Sequence, residues 1–203
     1  MIDCMFAFPD CRHPGCRESA LSLSDSCFYH LPDMDSYLSD IAAHLDGGQQ
    51  FTSLNLAFAD ISGLKLSKKR FVQCRFSYTI FNACDFSDSH FRLCYFDYAA
   101  IKDCVFTKIN MQACVFGGSE LVRCDFSGSD ILHTNFNGAD CSSTTYNESD
   151  LYFSTFIKSY LTDVQIVDCN IKKVNFSKSQ LDNVNFKYSN YEDALFTEED
   201  KFS

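Results

Sequence analysis

Tryptophan is absent from the 203 residues, proline occurs three times and glycine eight times. The sequence contains no Gly-rich phosphate loop, no Ser-His-Asp set and no pair of carboxylates at a recognisable spacing, so the common catalytic signatures are missing. No apolar run approaches the ~18–20 residues of a membrane span. The N-terminal Met-Ile-Asp-Cys-Met-Phe lacks a basic region followed by an apolar stretch, so a soluble, cytoplasmic protein is expected rather than a secreted one. Basic residues are outnumbered, 17 Lys and Arg against 27 Asp and Glu, for a formal net charge of −10. That balance disfavours general binding to nucleic acid or anionic membranes.

What the sequence does hold is apolar and aromatic. Hydrophobic residues make up 46% of it, including 21 Phe, 10 Tyr and 12 Cys, which supplies a core and excludes wholesale disorder. Without a secretory signal, cysteines are reduced or metal-bound rather than a disulfide framework.

The strongest signal is a period of five. Every fifth residue from Phe51 through Phe71, Phe96, Ile131 and Leu161 to Phe196 is hydrophobic, 30 positions with no break in register. At the background composition, chance gives this on the order of 10⁻¹⁰. Two residues before each centre, from Leu54 to Ala194, 22 of 29 positions are Cys, Ser, Thr or Ala, and Lys69 is the one charged residue among them. Asp or Asn often lies between, as in Ala59-Asp60-Ile61 and Ala139-Asp140-Cys141. Five residues advance about 500° on an α-helix, so its apolar positions would circle the whole surface. On a strand, an odd period sends successive centres to opposite faces. A chain that turns a corner once per pentad keeps every centre inside, and winds into a solenoid with coils about 4.8 Å apart.

Phe51 to Phe196 resembles the pentapeptide-repeat family. That resemblance implies an all-β fold, a right-handed quadrilateral β-helix with four pentads per coil, and hence about 7 coils (about 7.5 from the thirty pentads) in a rod about 36 Å long. Fifteen of the 21 Phe are pentad centres, where a narrow interior accepts one flat ring and would strain against an indole.

The cysteines divide in two. Cys74, Cys84, Cys94, Cys104, Cys114 and Cys124 recur every ten residues at the small inward position. In a four-sided coil, alternate members stack on opposite walls, where they read as compact hydrophobes. Cys141 and Cys169 are also inward. Cys4, Cys11, Cys16 and Cys27 precede the repeat. Cys11, Cys16, Cys27 and His30 form a C-x4-C-x10-C-x2-H pattern, with Pro14-Gly15 turning the chain between the first two. Thiolates and an imidazole suit structural zinc, and four of them close a tetrahedral site with no open catalytic position. Cys4 and His13 are alternative ligands. A segment this polar lacks a core, so a metal would supply its folding energy.

Met34, Tyr37, Leu38, Ile41, Ala42 and Leu45 form a helical stripe, with Asp33 or Asp35 as N-cap and Gly47-Gly48 at its end. It is expected to cover the first coil, giving a Cys/His segment at 1–32, a capping helix at 33–48 and a β-helix at 49–203. At the other end no amphipathic helix follows. Leu195, Phe196 and Phe202 could then be exposed: either the short tail folds over them or two molecules meet end to end, and an end-to-end homodimer through the C-terminal coil is the favoured expectation.

Some relatives in the resembling family imitate a DNA duplex and bind topoisomerases such as gyrase. A mimic needs acid along its whole length. Here Lys65, Lys68, Lys69, Arg70 and Arg75 make the first coils basic, while residues 85–168 hold twelve acids and five bases. His90 and His133 stand apart, and Asp85, Asp125 and Asp140 sit where solvent or corner hydrogen bonds explain them. Outward Tyr78, Tyr95, Tyr98, Tyr152, Tyr160 and Tyr188 could anchor a partner. The resulting expectation is a non-enzymatic protein-interaction scaffold with a protein partner. The alternatives are a DNA-mimic inhibitor or protector of gyrase and a zinc-dependent nucleic-acid binder, although the charge disfavours direct DNA binding.

Overall fold

The computed structural model describes residues 8–197. One helix, α1 (Met34–Gly47), precedes twelve three-residue strands. The strands β1 (Gln50–Thr52), β3 (Arg70–Val72), β5 (His90–Arg92), β7 (Asn110–Gln112) and β9 (Asp130–Leu132) form one parallel sheet in that order. Opposite it, β2 (Asp60–Ser62), β4 (Ile80–Asn82), β6 (Ala100–Lys102), β8 (Glu120–Val122), β10 (Asp140–Ser142), β11 (Tyr160–Thr162) and β12 (Gln180–Asp182) form a second. Register is Phe51 beside Phe71 and Ile61 beside Phe81, so one coil takes 20 residues. Two more ladders of single bridges, Asn55–Arg75–Tyr95 and Lys65–Asp85–Val105 onward, complete the other walls. The product is an all-β solenoid of about 7 turns, whose walls are named below by the central residues Phe71, Phe76, Phe81 and Phe86.

Rings stack coil upon coil inside. Phe76, Phe96, Phe116, Phe136, Phe156, Phe176 and Phe196 form a seven-ring column with centroids 4.6–5.2 Å apart. On the opposite wall, Phe86, Phe106, Phe126 and Tyr146 do the same. Coil spacing therefore sets ring spacing, within the range that favours aromatic pairs. Tyr146 is fully buried, and its hydroxyl lies 3.8 Å from the Cys141 thiol. Cys141 is the smallest centre in the repeat, and the room it leaves takes the longest ring.

Each corner is a residue in the left-handed region. From Ser53 to Tyr188, every residue two past a centre has positive φ, yet Gly63, Gly118, Gly128 and Gly138 are the only glycines there. This conformation costs a side-chain-bearing residue roughly 1–2 kcal/mol, and the low glycine count gives no hint of it. The winding offsets the cost, because each corner N–H from Ser53 to Lys173 donates to a carbonyl on the next coil, as Tyr78 does to Asp97 at 3.0 Å. The Asp or Asn before a centre serves the same turn. Asp85 and Asp125 each accept the N–H two residues on, from Ser87 and Ser127, at 2.9 Å.

The N-terminal edge is covered as expected. The Asp33 carboxylate caps α1 by accepting the Ser36 N–H, and Tyr37, Ile41 and Leu45 join the core. Lys69, the charged inward residue, is buried, and its ammonium donates to the carbonyls of Asp46 and Gly48 at 3.1 and 2.7 Å. A cation thus meets the negative end of α1 and ties helix to solenoid. At the far end, Tyr191–Asp193 makes one 3₁₀ turn and Leu195 is 57% exposed. Phe196 is half-buried against Phe176 rather than fully exposed, and Phe202 lies outside the described residues.

Candidate metal centre

Residues 9–30 fold with little apolar help. Asp10 and Ser19 form an antiparallel bridge, closed by Cys11 N–H to the Glu18 carbonyl at 2.9 Å. Gly15, at φ +80°, makes the turn that returns Cys16 toward Cys11. A 3₁₀ turn at Phe28–His30 then brings His30 back beside Cys27. The side-chain donor atoms of Cys11, Cys16, Cys27 and His30 all lie within 4.8 Å of one another. The His30 Nδ1 atom is 3.3 Å from Cys27 Sγ and 3.6 Å from Cys11 Sγ, and Cys16 Sγ is 3.8 Å from Cys27 Sγ. Sulfurs each ~2.3 Å from a tetrahedral zinc stand about 3.8 Å apart, so the donor set fits such an ion.

The three thiols sit in different surroundings. The Glu18 N–H points at Cys16 Sγ, 3.5 Å away. Backbone hydrogen bonding at Cys27 lowers the Cys11 thiol to about 6, whereas burial raises that of Cys27. His13, weighed as a ligand, is instead stacked on the His30 ring at 3.8 Å, outside the four-donor group. Cys4 lies outside the described residues.

The site is docked onto the first coil. Ser22 N–H donates to the Asn55 carbonyl, and the Asn55 side-chain amide donates to the Ala20 carbonyl, at 2.9 and 2.8 Å. Phe28 and Tyr29, between two of the candidate ligands, touch Phe58 at 5.4 and 5.8 Å. From Phe58 an outward column continues through Tyr78 to Tyr98, the rings parallel at 4.9 and 5.1 Å. Tyr98 lies over Gly118, where a Cβ would meet its ring at 2.6 Å.

Of the outward tyrosines expected as anchors, Tyr78, Tyr98, Tyr160 and Tyr188 are exposed, but Tyr95 and Tyr152 are half-buried. His133 is paired rather than solitary, stacking on Phe153, over which Lys173 places its ammonium. Winding also disperses the basic run. Lys65 lies on the Phe86 wall, Arg70 on the Phe71 wall and Arg75 on the Phe76 wall, while Lys69 is buried. The charge neighbours that matter are 20 residues apart, a signal present in the sequence once the coil length is known. Among the described residues, no helix is long and apolar enough to cross a membrane.

Residues 55–92 and 104–140 match the family model of pentapeptide repeats, in 8 copies. No curated protein matches the chain. Among solved structures, HetL, a pentapeptide repeat protein involved in heterocyst differentiation regulation from the cyanobacterium Nostoc sp. strain PCC 7120, is 14% identical. That alignment covers 78% of this chain and 96% of HetL, with a TM-score of 0.41. A trypsin-treated form of QnrB1, a plasmid-mediated fluoroquinolone resistance protein, is 19% identical over 70% of this chain and 83% of QnrB1, with a TM-score of 0.44.

Proposed function

We propose that this chain, which belongs to the pentapeptide-repeat proteins, is a non-enzymatic cytoplasmic scaffold that presents the walls of a rigid rod to a protein partner. The outward aromatic column from Tyr29 through half-buried Phe58 to the exposed Tyr78 and Tyr98 carries the reading. The interior is filled with apolar rings, so recognition falls to the surface, and contiguous exposed aromatics are what binding patches use. In an affinity capture from the native host, the wild-type chain should retain a partner that a Tyr78→Ser/Tyr98→Ser variant loses, at unchanged circular dichroism. Identical capture by both would overturn this reading.

Structural zinc on Cys11, Cys16, Cys27 and His30 completes the proposal. The ion would fix the Phe28–His30 turn, and so Tyr29 at the head of the column, without acting on any substrate. Elemental analysis should find about one zinc per chain, and metal-free protein with freely titrating thiols would refute the site.

The last coil supports end-to-end pairing with a second copy. Leu195 and Tyr191 are exposed beside an open depression of about 500 Å³ at Val184 and Phe186. A monomer mass at high micromolar concentration would exclude such pairing. Gyrase mimicry is less favoured, because the Phe71 wall carries Arg70, His90 and Arg92 before Asp130 and Asp150. No inhibition of supercoiling is expected at micromolar protein. Direct nucleic-acid binding is disfavoured by the same dispersal of the basic run.

A further inference from the structure

The outer surface of the Phe71 wall changes sign along its length. Arg70 and His90 are register partners on β3 and β5, and Val72 and Arg92 are the next outward pair. One coil on come Asn110 and Gln112, and beyond them Asp130 and Asp150. Arg70, His90, Arg92, Asn110 and Gln112 line a shallow groove of about 130 Å³ that no carboxylate lines. Asp130 accepts from the Asn110 side-chain amide at 3.4 Å, and Asp88 lies on the exposed corner two residues before His90. The ion pairs of the described residues lie elsewhere, Arg12 with Asp25, Lys102 with Glu120 and Arg123 with Asp103. Both guanidinium groups therefore face solvent without a neutralising partner.

We propose that Arg70, His90 and Arg92 on the Phe71 wall bind the terminal phosphate of a phosphate monoester. The volume is about four times the ~30 Å³ share of one water, which admits one tetrahedral oxyanion. Guanidinium forks match phosphate oxygens two at a time. Two forks, an imidazole and the Gln112 amide approach from several sides, an arrangement that the three free oxygens of a terminal phosphate meet better than the two of a diester. The flat wall leaves the esterified oxygen free to point outward. Asp130 and Asp150 downstream bound the site on one side and repel a longer polyanion laid along the rod.

The test titrates the full-length, metal-replete protein with inorganic phosphate at constant ionic strength, following backbone and arginine Nε resonances. Saturable shifts confined to residues 70–72, 90–92 and 110–112 are expected. Arg70→Gln and Arg92→Gln should each weaken binding at least tenfold, with the spectra of other residues unchanged. O-phosphoserine tests the source of the group: it should bind more tightly than inorganic phosphate, and equal or weaker binding would overturn the monoester assignment in favour of free phosphate. Shifts that rise linearly without saturating, equal response to chloride, or saturation unaffected by both arginine variants would overturn the proposal. So would a duplex DNA that displaces phosphate through the same arginines.

Discussion

Cysteine does opposite work in the two parts of this molecule. Before residue 31, three thiols and one imidazole converge on a single point from irregular spacings. In the repeat, eight buried thiols are strung along the rod; most meet backbone carbonyls, as Cys84 does that of Ile61 at 2.9 Å and Cys169 that of Tyr146 at 3.0 Å, while Cys141 lies beside the Tyr146 hydroxyl. The chemistry follows the geometry. In the first part backbone hydrogen bonding takes Cys11 down to about 6 while burial raises Cys27, and in the repeat burial pushes Cys124 and Cys141 up to about 12. One part is held by a few atoms at one centre, and the other by many nearest-neighbour contacts, none of them indispensable.

Chelation should split the two parts most sharply. Without metal, amides of residues 9–30 are expected to lose hydrogen-exchange protection, and Cys11, Cys16 and Cys27 to become alkylatable. Residues 71–176 should stay protected and the repeat thiols unreactive, as mass spectrometry of labelled peptides would reveal. Global loss of protection would mean that the module nucleates the whole rod. Next in size, Phe116→Ala in the seven-ring column should cost about 3–5 kcal/mol in denaturant unfolding while leaving metal content at the wild-type level. Lys69→Met tests the joint between the parts. Losing the ammonium from the Asp46 and Gly48 carbonyls should cost about 1–3 kcal/mol, read as faster exchange in α1 before any other element. The smallest change expected is Tyr146→Phe, about 1 kcal/mol, from the hydroxyl that meets Cys141. A larger loss would show that one buried polar contact governs its coil.

The solenoid could be read in advance because its rule is local: a large residue every five and a small one two places earlier. The helix stripe and the Cys-x4-Cys-x10-Cys-x2-His pattern were equally legible, since both depend on spacing within 20 residues. What escaped depends on the coil. Lys69 looked like an exception to the small inward position until the helix end above it came into view. Arg70, His90 and Arg92 look unrelated in the chain and adjoin on the wall. The left-handed corners at Tyr78 and Asp103 gave no compositional sign, because interstrand bonding, not glycine, holds them. His13 carried the right chemistry for a ligand and was displaced by a ring-stacking geometry that spacing does not encode.

The 20-residue coil makes length changes discrete. Duplicating 20 residues anywhere in the repeat would lengthen the rod by about 4.8 Å and keep every downstream column in line. Deleting five would turn all that follows by a quarter of a revolution. Asp130 and Asp150 would leave the wall that Arg70 and Arg92 occupy, with no residue changed in kind. In such a chain the surface pattern is a property of counting, and the uninterrupted frame from Phe51 to Phe196 preserves the order of charges around the rod as much as it preserves the core.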